Sequence, residues 1–343
     1  MRGNEALEYL IQPFVPFLAN PATTEIVVNR PGEFGVEANG QWSWHTEASL
    51  TFHRLDAIGV LTAYRASREF NPSNPEVATT LPGGERLQAC RAPATFPATI
   101  SLTIRKPTRR KVGLDDDDVG SLLDGTNASP AGHTKADAAL LKLYNAQDWR
   151  GFSRLAMRAK KTIGVCGKVA TGKTTFLRRL LAEIPETDRV VTVEDTAEFG
   201  DAGPGNRVNL FYGDGRANLT AEQIIKASLR MRMDWLIMQE VRGPEAFGFI
   251  RALASGHSGA TSWHAEEGEE FDALELMIRQ HEAGRAMSVD ICRPTSTSWC
   301  IARRIRTVTT RHECGSKLWT RRHESASRRC IHRHVSHRGC TAA

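Results

Sequence analysis

The stretch from Lys161 to Thr175 limits what this chain can become. It reads K-T-I-G-V-C-G-K-V-A-T-G-K-T-T, and Gly167, Gly172, Lys173 and Thr174 meet the pattern G-x-x-x-x-G-K-[ST]. A β-rich run, Thr162 to Cys166, leads in. Thr174 to Ile184 leads out with Phe176, Leu177, Leu180, Leu181 and Ile184 on one face of a helical period, and Pro185 stops it. A strand that turns through glycines into a helix presents backbone N–H groups and the positive end of the helix to an anion. Along such a loop Gly167, Thr171, Gly172 and Thr175 are candidates to surround the phosphates. Lys173 reaches the β- and γ-phosphates, and the Thr174 hydroxyl ligates Mg²⁺. The chain is therefore expected to bind ATP with Mg²⁺.

Three later runs have strand character, and each ends on polar residues. Arg189 to Val193 ends at Glu194-Asp195, Trp235 to Met238 at Gln239-Glu240, and Ala260 to Trp263 at His264. In a parallel α/β sheet the ligand sits at the carboxyl ends of the strands, so Lys173, Glu194, Glu240 and His264 are expected to converge on one nucleotide. A single acid after an apolar strand is more often a turn residue or a cap. Four such residues on a sheet that carries a phosphate loop point to a site. Between them Thr220-Ala-Glu-Gln223 opens a helix with a capping box, and Ile224, Ile225, Ser228, Leu229 and Met233 form its inward face. Arg230 and Arg232 suit its C-terminal end.

The 343 residues suffice for two domains. Residues 1–107 read as a smaller α+β domain. Glu5 to Leu18 has helical spacing interrupted by Pro13 and Pro16, Glu25 to Asn29 and Glu33 to Glu37 are strands, and Asn39-Gly40 is a hairpin turn before Gln41 to Trp44. A helix over Leu55 to Phe70 follows, then strands over Glu85 to Cys90 and Thr99 to Arg105. Residues 108–137 change to charge runs and turn residues and read as a linker; the α/β domain is expected over 138–290. Residues 291–343 form an atypical Cys/His-rich basic tail. Over 281–343 there are 13 Lys and Arg against 4 Asp and Glu, so the overall +6 leaves residues 1–280 at −3. A mildly acidic body without an aromatic-and-basic groove argues against direct nucleic-acid binding. No run approaches the ~18 apolar residues of a membrane span, which gives a cytoplasmic expectation, with peripheral attachment at the inner membrane left open.

Taken together, these boxes resemble the hexameric traffic ATPases of bacterial secretion, specifically the VirB-type ATPase of type IV secretion and conjugation systems. The likeness covers roughly residues 5–290. It is carried by Thr24 to Glu33, Leu81-Pro-Gly-Gly-Glu-Arg-Leu-Gln88 and Ile100 to Pro107, then by the phosphate loop, the acidic box Val191-Thr-Val-Glu-Asp-Thr-Ala-Glu-Phe199, the run Ile237-Met-Gln-Glu-Val-Arg-Gly243, and Ser255-Gly-His-Ser-Gly259 with His264-Ala265. The resemblance implies a RecA-like P-loop NTPase domain with a smaller N-terminal α+β domain, the nucleotide clamped between them, and six chains in a ring. It implies partners among inner-membrane secretion proteins and a role in substrate translocation or pilus assembly. It implies that Glu240 orients or deprotonates the attacking water, that Glu194 supports Mg²⁺ or that water, that His264 senses the γ-phosphate, and that Arg86 and Arg105 neutralise charge from the N-terminal domain.

Three departures stand out. The family loop usually has glycine where Ala170 stands, and an alanine at positive φ is strained by ~1 kcal/mol. The histidine box is one residue short, with His257 and His264 seven apart, and a one-residue shift turns a strand's side chains to its other face. Near Asp290 the likeness stops. The tail reads as a shifted reading frame, as a disordered basic arm for anionic membrane or DNA, or as a zinc site of Cys292, Cys300, His312 and Cys314 that lacks a C-x-x-C pair. Two alternatives accompany the main reading: a RecA-like nucleic-acid motor, and a degenerate subunit that holds nucleotide without turnover.

Overall fold

Two six-stranded sheets make up the architecture, and they are built in opposite ways. The computed structural model describes residues 2–107, 135–213, 218–286 and 299–303, the last by backbone alone. In the N-terminal part α1 (Arg2–Leu10) and α2 (Val15–Ala19) are separated by a 3-10 turn at Gln12–Phe14, where Pro13 lacks a donor. Then come β1 (Thr23–Val28), β2 (Glu33–Ala38), β3 (Gln41–Thr46), α3 (Phe52–Arg65), β4 (Glu76–Thr80), β5 (Arg86–Arg91) and β6 (Ile100–Arg105). The order is β3-β2-β1-β6-β5-β4 with antiparallel pairing throughout. Asn39 and Gly40 both take positive φ, 51° and 72°, between the paired Ala38 and Gln41, as a two-residue hairpin turn requires. Leu55, Ile58 and Ala63 of α3 share one core with Ile26, Leu102 and Ile104 of the sheet.

The C-terminal part contains α4 (Lys135–Asn145), α5 (Trp149–Arg158), β7 (Thr162–Cys166), α6 (Lys173–Leu181), β8 (Val190–Glu194), β9 (Arg207–Phe211), α7 (Ala221–Ser228), β10 (Trp235–Met238), α8 (Glu245–Ala254), β11 (Ser258–Trp263), α9 (Glu270–Gln280) and β12 (Trp299–Arg303). Its sheet is parallel, in the order β12-β7-β11-β10-β8-β9. Alternation along β10 supplies two cores: Leu236 and Met238 pack with α7 and α8, Trp235 and Ile237 with α6. That is why β10 reads as an unbroken apolar run.

Some elements differ from the sequence reading. β4 and β9 were not anticipated, β9 because Arg207 and Asn209 interrupt a five-residue run. β12 comes from the segment read as atypical tail, so the parallel sheet extends past the boundary expected at 290. Helix α7 ends at Ser228, before Arg232 at φ 54°, and Leu229 is exposed instead of inward. Most of the linker, Cys292, His312 and Cys314 lie outside the described residues.

The N-terminal domain lies along β9, an edge of the parallel sheet. At one end Arg189, fully buried, donates to Met231 O at 2.7 Å and to Asn29 Oδ1 at 2.8 Å, so one guanidinium ties both domains together. Arg232 donates to Glu37 at 3.1 Å and to Asp234 at 3.1 Å. At the other end Phe211 N donates to Ala94 O at 2.8 Å, and the Phe211 ring meets Phe96 edge-on. Glu25 is buried in this seam, 3.5 Å from Arg105, and one of its oxygens has no hydrogen bond among the described residues. Burial pushes its carboxyl up to about 7, opposed by Arg105 and reinforced by Glu37.

Because Glu25 holds its proton more tightly in the folded chain than in the unfolded one, stability falls as pH rises from the unfolded value through about 7. Glu25→Gln is therefore expected to stabilise the chain by on the order of 3 kcal/mol at pH 8.5 and by little at pH 4. Denaturant unfolding of both proteins at the two pH values measures this. An equal effect at both would remove Glu25 as the cause.

Candidate nucleotide site

The loop predicted to hold phosphates sits at the carboxyl end of β7 and opens directly into α6. Gly172 caps the helix at φ 84°, a left-handed conformation that glycine accepts without strain, and Thr171 Oγ1 donates to Lys168 O at 2.9 Å. Thr174 and Thr175 occupy the first turn, half-buried and exposed respectively. A groove of about 380 Å³ lined by Gly167, Lys168, Thr171, Ala265 and Glu266 adjoins the loop. Among the described residues no group of three or more His, Cys, Asp and Glu is placed to hold a metal on its own.

Parallel pairing brings the predicted groups to this loop from two further strands. Cys166 of β7 pairs with Trp263 of β11, and Thr261 of β11 pairs with Met238 of β10, so the residues following these strands emerge side by side. Gly164 allows that approach, since a Cβ there would meet the Trp263 ring at 2.4 Å. Lys173 Nζ lies 3.1 Å from His264 Nδ1 and donates to Gly167 O at 3.2 Å and Lys168 O at 3.1 Å. Burial lowers the Lys173 ammonium from its ordinary value, and the Glu240 charge opposes this. His264 Nε2 in turn lies 2.7 Å from Glu240 Oε1. The short histidine box therefore still delivers His264 to Lys173 and Glu240.

Other predicted residues are placed elsewhere. Glu194 is fully buried: Oε1 accepts from Thr192 Oγ1 at 2.6 Å and Asn209 Nδ2 at 2.9 Å, and Oε2 accepts from the backbone N–H groups of Glu198 and Phe199 at 3.0 Å each. A carboxylate with four donors shapes the acidic box, and a role toward Mg²⁺ would require it to exchange some of them. Arg86 and Arg105 line a separate cavity of about 770 Å³ between the N-terminal sheet and α7, with Arg68, Lys226 and Arg230. Four inter-strand spacings separate β9, where their domain docks, from β7, roughly 19 Å.

The sequence reading missed Arg242, Asp195 and Gln239. Arg242 joins Glu240 to Asp195, and Gln239 Oε1 accepts from the backbone N–H groups of Asp195 and Thr196 at 3.1 and 3.3 Å. Arg242 stood within the run Ile237 to Gly243, but an arginine two positions after an acid carries no signal of its own.

Comparison with known proteins gives a concordant result. Residues 136–342 match the family described as Type II/IV secretion system protein. The chain is 35% identical over 295 residues to the type IV secretion system protein VirB11 of Brucella suis, covering 84% of this chain and 82% of that one. It is 38% identical over 282 residues to the type IV secretion system protein PtlH of Bordetella pertussis, covering 80% and 83%. The crystal structure of the VirB11 ATPase from the Brucella suis type IV secretion system, in complex with sulphate, matches with a TM-score of 0.82 at 31% identity over 93% of this chain and 94% of that one.

Ala170 has φ 59°, the left-handed conformation that its place in the loop demands. Ala170→Gly is expected to leave stability unchanged or raise it by up to ~1 kcal/mol, since relief of strain offsets the added freedom of glycine in the unfolded chain. Ala170→Val, β-branched at positive φ, is expected to lose ~1–2 kcal/mol. Denaturant midpoints of the three proteins decide; a glycine variant weaker than the parent would contradict a strained loop.

Proposed function

The chain belongs to the Type II/IV secretion system family, among its VirB11-like members, and from that premise we propose that it hydrolyses Mg²⁺·ATP as a cytoplasmic, six-membered ring. Domain motion in that ring would drive substrate translocation or pilus assembly in a bacterial type IV secretion or conjugation system, beside inner-membrane partners. One observation carries the reading: Lys173, His264 and Glu240 form a continuous contact across the ends of three adjacent strands, beside a phosphate loop.

The residues present suit the ligand. Backbone N–H groups from Gly167 to Thr174 and the N-terminus of α6 would hold the β-phosphate, and the Lys173 ammonium, now held by two carbonyls and an imidazole, would exchange these for phosphate oxygens. Thr174 would offer its hydroxyl to Mg²⁺, which takes few protein ligands when phosphates supply the rest. The bound ion would neutralise charge that develops on the phosphates. Glu240 Oε1 would accept a hydrogen bond from the attacking water and orient it, while His264 would register the γ-phosphate beside it. Arg86 and Arg105 lie across the sheet from their own loop, so their contribution would go to a neighbouring chain's nucleotide.

Phosphate release by the wild-type chain is expected to vanish in Lys173→Ala and to fall at least about 100-fold in Glu240→Gln while ATP binding survives. Arg86→Ala/Arg105→Ala rings should be weak, and mixing them with Lys173→Ala chains should restore part of the activity, because one chain supplies the loop and the other the arginines. A wild-type ring that binds ATP without turnover would mean a degenerate subunit; no restoration on mixing would remove the shared site.

A further inference from the structure

Glu240 follows β10 on a loop, where its torsions have several staggered wells, and the conformer present puts Oε1 2.7 Å from His264 Nε2. The structure supplies what selects it. Arg242 Nε and Nη2 both donate to Glu240 Oε2, at 3.0 and 2.8 Å, and Arg242 Nη1 donates to Asp195 Oδ2 at 2.6 Å. One oxygen of Glu240 is thus held by two donors, and the other, Oε1, is buried against His264 Nε2 at 2.7 Å. The backbone that carries Arg242 is anchored, because Arg242 N and Gly243 N both donate to Glu245 Oε1, at 2.7 and 2.8 Å, and Asp195 is fixed through its own N–H by Gln239.

We propose that Arg242 is a positioning residue for Glu240: its planar fork bridges Glu240 to Asp195 and leaves a single carboxylate oxygen, held here against His264, to take up the attacking water. This rests on the ATPase reading above. Phosphoryl transfer is limited by placement of the nucleophile and by charge stabilisation, so a fixed carboxylate serves it well. The bridge needs guanidinium geometry. A lysine ammonium can meet one of the two carboxylates well but cannot reproduce the side-on contact to Glu240 together with the contact to Asp195. The Arg242 side chain is 57% exposed, so its removal should affect turnover far more than folding.

The test compares wild type, Lys173→Ala, Arg242→Ala, Arg242→Lys, Asp195→Asn and Glu240→Gln, alone and combined with Arg242→Ala, for kcat, KM, binding of a fluorescent ATP analogue and thermal midpoint. Arg242→Ala is expected to lower kcat by about tenfold or more, with KM and analogue binding within about threefold of wild type and a midpoint within about 2 °C. Arg242→Lys and Asp195→Asn should fall between. Added to Glu240→Gln, Arg242→Ala should change residual turnover by less than about twofold, since nothing is left to position. A kcat within about twofold of wild type in Arg242→Ala, while Lys173→Ala is inactive, would overturn the proposal and leave the ATPase reading standing. Parallel loss of analogue binding and turnover in both Arg242→Ala and Arg242→Lys would overturn it in favour of a general structural role. Turnover absent from wild type itself would instead sink the ATPase reading on which the proposal rests.

Discussion

A phosphate loop can act only where backbone N–H groups, a helix N-terminus and the groups that meet the terminal phosphate share one edge of a sheet. Here that edge is set by parallel pairing of β7 with β11 and of β11 with β10. Adjacent strands lie about 4.8 Å apart, so residues following three of them fall within reach of one phosphate without any long-range adjustment. The Lys173–His264–Glu240 contact is the direct consequence. A one-residue slip of β11 against β7 would turn its whole set of side chains over, and the Trp263 ring against Gly164 gives the register a steric check.

The same sheet separates two tasks. Its β7 side carries the phosphate loop, and its β9 edge carries the N-terminal domain. The seam at β9 is polar where Arg189 bridges Asn29 and Met231, and apolar where Phe211 meets Phe96. A buried arginine with partners in both domains makes separation expensive, because moving either domain would leave a desolvated charge short of acceptors. Within one chain the two domains are thus held as a unit on the side away from the loop. The proposed ring follows as the setting in which Arg86 and Arg105 could meet a nucleotide.

How much of this the sequence disclosed varies with the kind of signal. The phosphate loop was legible because glycine, lysine and threonine at fixed spacing leave few alternatives, and Asn39-Gly40 because left-handed turns select those residues. The strained φ of Ala170 was legible for the same reason. The surroundings of Glu194 were not legible: an acid at a strand end looks the same whether its carboxylate faces a ligand or accepts from Thr192, Asn209 and two backbone N–H groups. β9 was hidden because its polar residues have partners that sequence does not show: Asn209 donates to Glu194, and Arg207 donates to Ala202 O at 2.7 Å. Arg242 was hidden because its role depends on Asp195, 47 positions earlier. The resemblance recovered family and fold, while placing the basic residues of the N-terminal domain required the sheet order.

The most direct measurement is a structure of the assembled chain with Mg²⁺ and a non-hydrolysable ATP analogue. The account expects the β-phosphate within the Gly167 to Thr174 loop, Lys173 moved from His264 onto phosphate oxygens, Thr174 on the metal, and a water hydrogen-bonded to Glu240 Oε1. Analogue bound only in the cavity lined by Arg86 and Arg105, with the Lys173–His264 contact intact, would contradict it.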